Sequence, residues 1–277
     1  KCKNMCYFTS QHLRAEDVAR KYGRRMDAVN AARVVLTQKE EEARQKAAVT
    51  GMPDKTTIYD YRLNDGMYVS PAYSEPYTVI VTDSDQLQVM RWGLIPYTAS
   101  EASKERFDRQ NLYKNAQAEH LFTTWPWRTL WSKKRCVVPV TGFFESHYGP
   151  DGKSWPYYIQ RRDGGLFAIA ALYDEWSEPR TGGRLLSFVS ITIAANPLLQ
   201  KVHNGGLNPH RMPLILPDDQ VAGWLDPRGV QSADVRRFLV TPDDAEFEAW
   251  PVRKKFNYGD PYDPSIIDRV QPGTEPA

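Results

Sequence analysis

Cysteine is scarce in this chain. Three in 277 residues, Cys2, Cys6 and Cys136, are too few for a disulfide framework, and Cys2 and Cys6 have no matching Cys/His pair at zinc-finger spacing. The pattern calls for no structural metal and no cofactor, and a reducing cytoplasm is the expected compartment. Long apolar runs are missing too, so no membrane span is expected, and the first residues lack the apolar stretch of a secretory signal. Charge of one sign is not in excess. Lys+Arg 36 against Asp+Glu 34 leaves +2, so no global field advertises nucleic acid and any DNA-binding surface has to be local. A phosphate-cradling Gly-rich loop, a Gly-x-Ser-x-Gly elbow and an internal repeat are all lacking, which argues against nucleotide-binding, α/β-hydrolase and solenoid readings.

Aromatic residues, in contrast, are plentiful: 8 Trp and 15 Tyr suit a β-rich core or a stacking platform for bases. The first part of the chain is helical in pattern. Residues 16–26 carry Val18, Tyr22 and Met26 on one face, and residues 28–48 form a charge-laced stretch that Gly51-Met52-Pro53-Asp54 stops. This second helix reads as an insertion, about 28–50, on the outside of the fold. From Thr56 onward short β-like runs take over: 77–82 and 87–92 as a hairpin, then 135–140, 155–160, 166–172 and 185–194. A short helix follows at 198–202, then the basic motif His210-Arg211-Met212-Pro213 running into an apolar strand, and two further helices at 218–225 and 232–239. The pattern implies an α+β fold, one domain over residues 5–240 built on a twisted, barrel-like, mainly antiparallel sheet with peripheral helices. Residues 241–277 read as a loosely docked or disordered extension.

Four positions carry the candidate chemistry. In RCVVPVTGFFESHY, residues 135–148, a strand runs through a Thr-Gly turn and delivers Glu145 among Phe143, Phe144 and Tyr148. Apolar surroundings raise a carboxyl pKa and suit it to general acid/base work, although a surface Glu at a strand end has the same local sequence. Met5-Cys6 looks like a start followed by a small residue. With Met removed, Cys6 bears an amine and a thiol on adjacent carbons, a pair that captures an aldehyde as a Schiff base and closes it to a thiazolidine. Asn115, in Asn115-Ala116-Gln117-Ala118-Glu119, can hold a substrate or cap a helix. His203 follows the helix that begins after Ala195-Asn196-Pro197, and His210 stands beside Arg211. Trp92 is open to base stacking or to core packing. Arg128, in Trp125-Pro126-Trp127-Arg128, and the basic run Lys133-Lys134-Arg135 fit a phosphate-contacting patch or a solvated loop.

Taken together, Met5-Cys6, Trp92-Gly93-Leu94-Ile95-Pro96, Asn115-Ala116 with Glu119, Arg135-Cys136 through Pro139 to Glu145, Pro156-Tyr157-Tyr158-Ile159, residues 171–176, Ala195-Asn196-Pro197, His203 and Arg211-Met212-Pro213 resemble the SOS response-associated peptidase (SRAP) family of abasic-site processing proteins, from Met5 to about Leu225. The resemblance implies a protein, bacterial or phage-like, that senses abasic sites in single-stranded DNA and links to them covalently through an N-terminal Cys. By position that Cys is Cys6 and not Cys2, exposed by self-cleavage of any residues before it. Asn115 matches the family's Asn that holds the Cys and the sugar, Glu145 the acid/base carboxylate and His203 the active-site His, with His210 as the alternative. Trp92, Gln117, Arg128, Lys133, Lys134 and Arg211 form the implied DNA-contacting set, and a monomer is expected. The chain departs from the family at Phe8 and Gln117, where Arg is frequent, and at Ser146, where an aromatic commonly follows the Glu. Two other readings compete. A thiol peptidase using Cys6 and His203 would cleave peptides in trans, and a non-catalytic single-strand binder would hold intact and abasic strands alike.

Overall fold

The computed structural model describes residues 8–50, 62–74, 76–110, 112–180, 182–206, 208–228 and 232–271. Cys2, Met5, Cys6 and the expected helix stop at 51–54 lie outside them. Strand β1 (Phe8–Gln11) leads into helices α1 (Ala15–Tyr22) and α2 (Asp27–Thr50). A single helix through 16–26 does not form, because Gly23 takes a left-handed φ of 61° and its N–H closes α1 on the Ala19 carbonyl. Next come β2 (Leu63–Asn64), β3 (Met67–Pro71) and the hairpin of β4 (Tyr77–Ile80) with β5 (Gln88–Trp92). Helix α2 rests on β5 with Val29 and Leu36 inward, while Val34 and Val35 face solvent. The polar segment after Ala99 holds α3 (Glu101–Arg109), started by the Ser100 hydroxyl accepting the Ser103 N–H, then β6 (Asn115–Gln117) and α4 (Trp127–Leu130).

The body of the sheet is β7 (Arg135–Val140), β8 (Gly142–Tyr148), β9 (Ser154–Arg161), β10 (Phe167–Ser177) and β11 (Arg184–Ala194). Helix α5 (Pro197–Val202), β12 (Arg211–Pro213), β13 (Ile215–Leu216), α6 (Val221–Leu225), α7 (Ser232–Arg236) and β14 (Phe247–Pro251) complete the order. Two sheets result. One has five strands in the order β14-β9-β8-β1-β3, and the other has nine, with β13-β10-β11-β5-β4-β2 as its path and β6, β7 and β12 added at its sides. The chain passes between them at Thr141, where β7 of the larger sheet becomes β8 of the smaller. Every residue of β7 is buried, as its run of Val and Cys requires. One continuous apolar cluster joins Phe143 and Ile159 of the small sheet to Ile169, Phe188 and Ile191 of the large one. The fold is α+β, a single domain with a curled half-barrel sheet. Among the described residues no helix is long and apolar enough to cross a membrane.

Within the segment 241–277, read as loosely docked or disordered and described to residue 271, the structure has a packed strand, β14. It adds to the edge of β9 from Phe247↔Arg161 to Pro251↔Tyr157, and Trp250, Val252, Phe256 and Ile266 bury with Phe144 and Tyr158 in a second cluster. The local sequence hid this strand because it is short, ends in Pro and gains its stability from a partner far back in the chain.

Candidate active site

Glu145 owes its position to an unusually close turn. A β-carbon at residue 142 would overlap the ring of Tyr158, so Gly142 lets β8 leave the corner pressed against its neighbour. Residues 142–145 of β8 are all buried, and Ser146 is exposed, so Glu145 is the last side chain before the strand emerges. Its relative exposure is 7%. Across the ladder it faces Tyr157 of β9.

His203 arrives from the other side. Asn196 caps α5 by accepting the Leu199 N–H at 2.9 Å, Pro197 starts the helix, and His203 ends it with its own N–H on the Leu199 carbonyl. The ring is buried, at 6% exposure, and its Nδ1 lies 3.0 Å from the Arg211 carbonyl oxygen. A carbonyl only accepts, so Nδ1 carries the proton and Nε2 presents its lone pair when the ring is neutral. Nε2 sits 3.9 Å from Glu145 Oε2. That gap exceeds a direct hydrogen bond, and one atom set to the side of the line between them could still reach both the carboxyl and the imidazole.

The strand that offers this carbonyl is itself clamped. Arg211 grips Glu119 through both terminal nitrogens, at 2.5 and 2.8 Å, and also donates to the Thr192 carbonyl at 2.9 Å. Glu119 stands just after β6, which runs parallel to β11 with Asn115 beside Ser190 and Gln117 beside Thr192, while β12 lines the other edge of β11. The ion pair therefore straddles β11 and ties the Asn115 strand to the strand that fixes His203. The Glu119 carboxyl is held below its usual range by that Arg211 hydrogen bond.

Other expected residues fall elsewhere. His210 is exposed, has a left-handed φ of 58°, and braces His203 by donating its N–H to the His203 carbonyl. Trp92 is not a stacking platform: it is 2% exposed, lies on Phe188 and donates its indole N–H to the Lys114 carbonyl. Arg211, engaged by Glu119 and with its side chain 14% exposed, is not a free phosphate contact. Gln117 is half-buried on β6. Arg128 and Lys133 are exposed, but they precede the Arg135 end of β7, opposite the corner that leads to Glu145. Lys134 leans over Tyr173, 5.1 Å from its ring, in a groove of about 660 Å³ beneath α2 that is remote from the Glu145 corner. Arg135 is buried and structural, donating to the carbonyls of Trp131, Ser132, Trp224 and Asp226. A basic run adjacent to Glu145 in sequence is thus separated from it by the whole length of a strand, roughly 20 Å for six extended residues.

Among the described residues no group of three or more His, Cys, Asp or Glu could hold a metal ion. Cys136 is fully buried and its thiol pKa is pushed well up by that burial, so it is no nucleophile. Sequence reading missed the Glu119–Arg211 pair and the bonds of the Asn204 side chain to the Tyr148 main chain, and their signal was faint: a carboxylate four residues after Asn115, and an Asn-Gly-Gly run after His203.

The model of the SOS response associated peptidase (SRAP) family matches residues 5–258. The abasic site processing protein YoqW of Bacillus subtilis is 32% identical over 218 residues, covering 76% of this chain and 90% of its own length. YobE of the same organism, also named an abasic site processing protein, is 31% identical over 206 residues, covering 72% and 87%. The abasic site processing protein HMCES of Gallus gallus is 28% identical over 182 residues, and the match spans about half of that protein, 51%. A crystal structure of a protein from Bacteroides thetaiotaomicron superposes with a TM-score of 0.79 at 30% identity, covering 96% of this chain and 100% of that one.

Proposed function

Because the chain belongs to the SOS response associated peptidase (SRAP) family, we propose that it processes abasic sites in single-stranded DNA and becomes covalently joined to them through Cys6. The observation that carries this reading is the buried Glu145–His203 pair at 3.9 Å, met by β1 from the side of the N-terminal segment. Phe8 is in register with Phe144, the residue before Glu145. Cys6 is two residues upstream of Phe8 in the sequence.

The chemistry then runs as follows. Cleavage before Cys6 exposes its α-amine, whose ordinary pKa of about 8 leaves a usable neutral fraction near neutral pH. The amine nitrogen attacks the open-chain aldehyde carbon of the abasic sugar, and the carbonyl oxygen takes up a proton to give a carbinolamine. Loss of that hydroxyl as water forms the imine. Glu145 protonates the carbonyl oxygen, regains a proton from the attacking amine and passes it to the departing hydroxyl, and His203, with its Nε2 lone pair turned toward the same gap, takes the second amine proton. The Cys6 sulfur finally adds to the imine carbon while the nitrogen regains a proton, closing the five-membered thiazolidine. Asn115 holds the reacting segment, and Gln117, two residues along the same face of β6, offers its amide to the strand.

Protein beginning at Cys6, incubated with single-stranded DNA bearing one abasic site, is expected to yield a heat-stable species of retarded mobility. Cys6→Ala abolishes it, and Glu145→Gln slows its formation by about 100-fold or more. Absence of any adduct with the unaltered protein would overturn the reading. Cleavage of unrelated peptides in trans would favour a general thiol peptidase instead.

A further inference from the structure

We infer that Asn204 is a positioning residue for the Glu145–His203 pair, acting by docking the end of α5 onto the edge of β8. This rests on the functional reading above for its catalytic consequence, and on geometry alone for the docking.

Three contacts join the two elements beyond the catalytic gap. Asn204 Oδ1 accepts the Tyr148 N–H at 2.8 Å, and Asn204 Nδ2 donates to the Tyr148 carbonyl at 2.9 Å. One side chain thus makes the reciprocal pair of bonds that a neighbouring strand would make, which needs a donor and an acceptor in one short planar group. His147 Nδ1 lies 2.9 Å from the Lys201 carbonyl, one of the carbonyls that the end of α5 leaves without a helical partner. Glu145, His147 and Tyr148 of β8 therefore meet His203, Lys201 and Asn204 in a row of rungs.

The next residues are shaped to allow this. A β-carbon at Gly205 would press into the Tyr148 ring, and Gly206 takes a left-handed φ of 92°. His203-Asn204-Gly205-Gly206 is accordingly a docking motif, not merely a flexible connection. Without the Asn204 rung, the His147 bond is the one of these three contacts that remains between the end of α5 and the edge of β8 among the described residues. His203 is anchored to β12 through Nδ1 and Glu145 belongs to the other sheet, so their separation depends on how well these two bodies are tied together. A displacement of about 1 Å in such a pair can cost on the order of 100-fold in rate.

The test separates docking from simple stability. Asn204→Ala and Asn204→Asp are compared with the unaltered protein in single-turnover adduct formation over a range of abasic DNA concentrations. The limiting rate is expected to fall about tenfold in both variants, with the half-saturating DNA concentration and the melting temperature little changed. Asp retains the acceptor but sets a carboxylate against the Tyr148 carbonyl, so it should not rescue. A second readout needs no DNA: the change in the His203 ring resonances produced by Glu145→Gln should shrink by half or more in an Asn204→Ala background. Undiminished resonance changes together with an unchanged limiting rate would overturn the assignment. If the unaltered protein forms no adduct, the resonance experiment still decides the docking role on its own.

Discussion

Glu119 and Arg211 brace the Glu145–His203 corner from a distance. Their bidentate contact pins the strand end whose carbonyl fixes the proton on His203 Nδ1. The Arg211 hydrogen bond lowers the Glu119 pKa from 4.5, so the folded state holds this carboxylate ionised where the unfolded chain would protonate it. Its stabilisation is fully present above the unfolded value and is lost as pH falls through the lowered folded one. Glu119→Gln is therefore expected to reduce stability at pH 7 and to make progressively less difference as the pH falls through the carboxylate range, as urea unfolding across that range would show. Glu119 is half exposed, and screening keeps the effect at neutral pH modest. A stability difference that persisted unchanged in acid would mean that the side chain contributes through packing and not through charge.

At the scale of elements, β14 is the strand on which the small sheet depends for its outer closure. Trp250 packs edge-on against Tyr158, donates its indole N–H to the Ile267 carbonyl and lies beneath the Arg269 guanidinium. Trp250→Ala should cost about 3–5 kcal/mol, measured by denaturant unfolding. This strand also shows what the sequence leaves unsaid. Strands 77–82, 87–92, 155–160 and 185–194 announce themselves by local β patterning, as do the helix after Asn196-Pro197 and the turn before Glu145. No local pattern announces that residues 247–251 pair with 157–161, that Trp92 turns its ring onto Phe188, or that Lys134 faces a groove under α2. Those facts follow from register and from which face of a strand meets the core, and both are settled by partners distant in sequence. The placement of Glu145 after a turn and of His203 at a helix end follows from local sequence more directly than the placement of residues singled out by charge or aromaticity alone.

The whole molecule couples its two sheets closely. Strand β7 continues into β8 across the corner at Thr141, and one apolar cluster spans both sheets. The main core takes Phe143 and Ile159 from the small sheet, and the second cluster, with Phe144 and Tyr158, lies on strands β8 and β9 that also carry those two residues. Thermal unfolding is expected to give a single cooperative transition with coincident far-ultraviolet, near-ultraviolet and calorimetric midpoints. Two separated transitions would mean that the small sheet, with β14, melts apart from the rest.

The location of β1 has a mechanical consequence. It lies between β3 and β8, bonded on both flanks, with Phe8 at its leading end. A load attached just ahead of Phe8 and pulled along the strand axis stresses both ladders in shear, so their rungs share the force and must give way together instead of opening one at a time. A covalent cargo carried there would be held by the middle of a sheet, and the tether would resist traction better than one fastened to a loop or an edge.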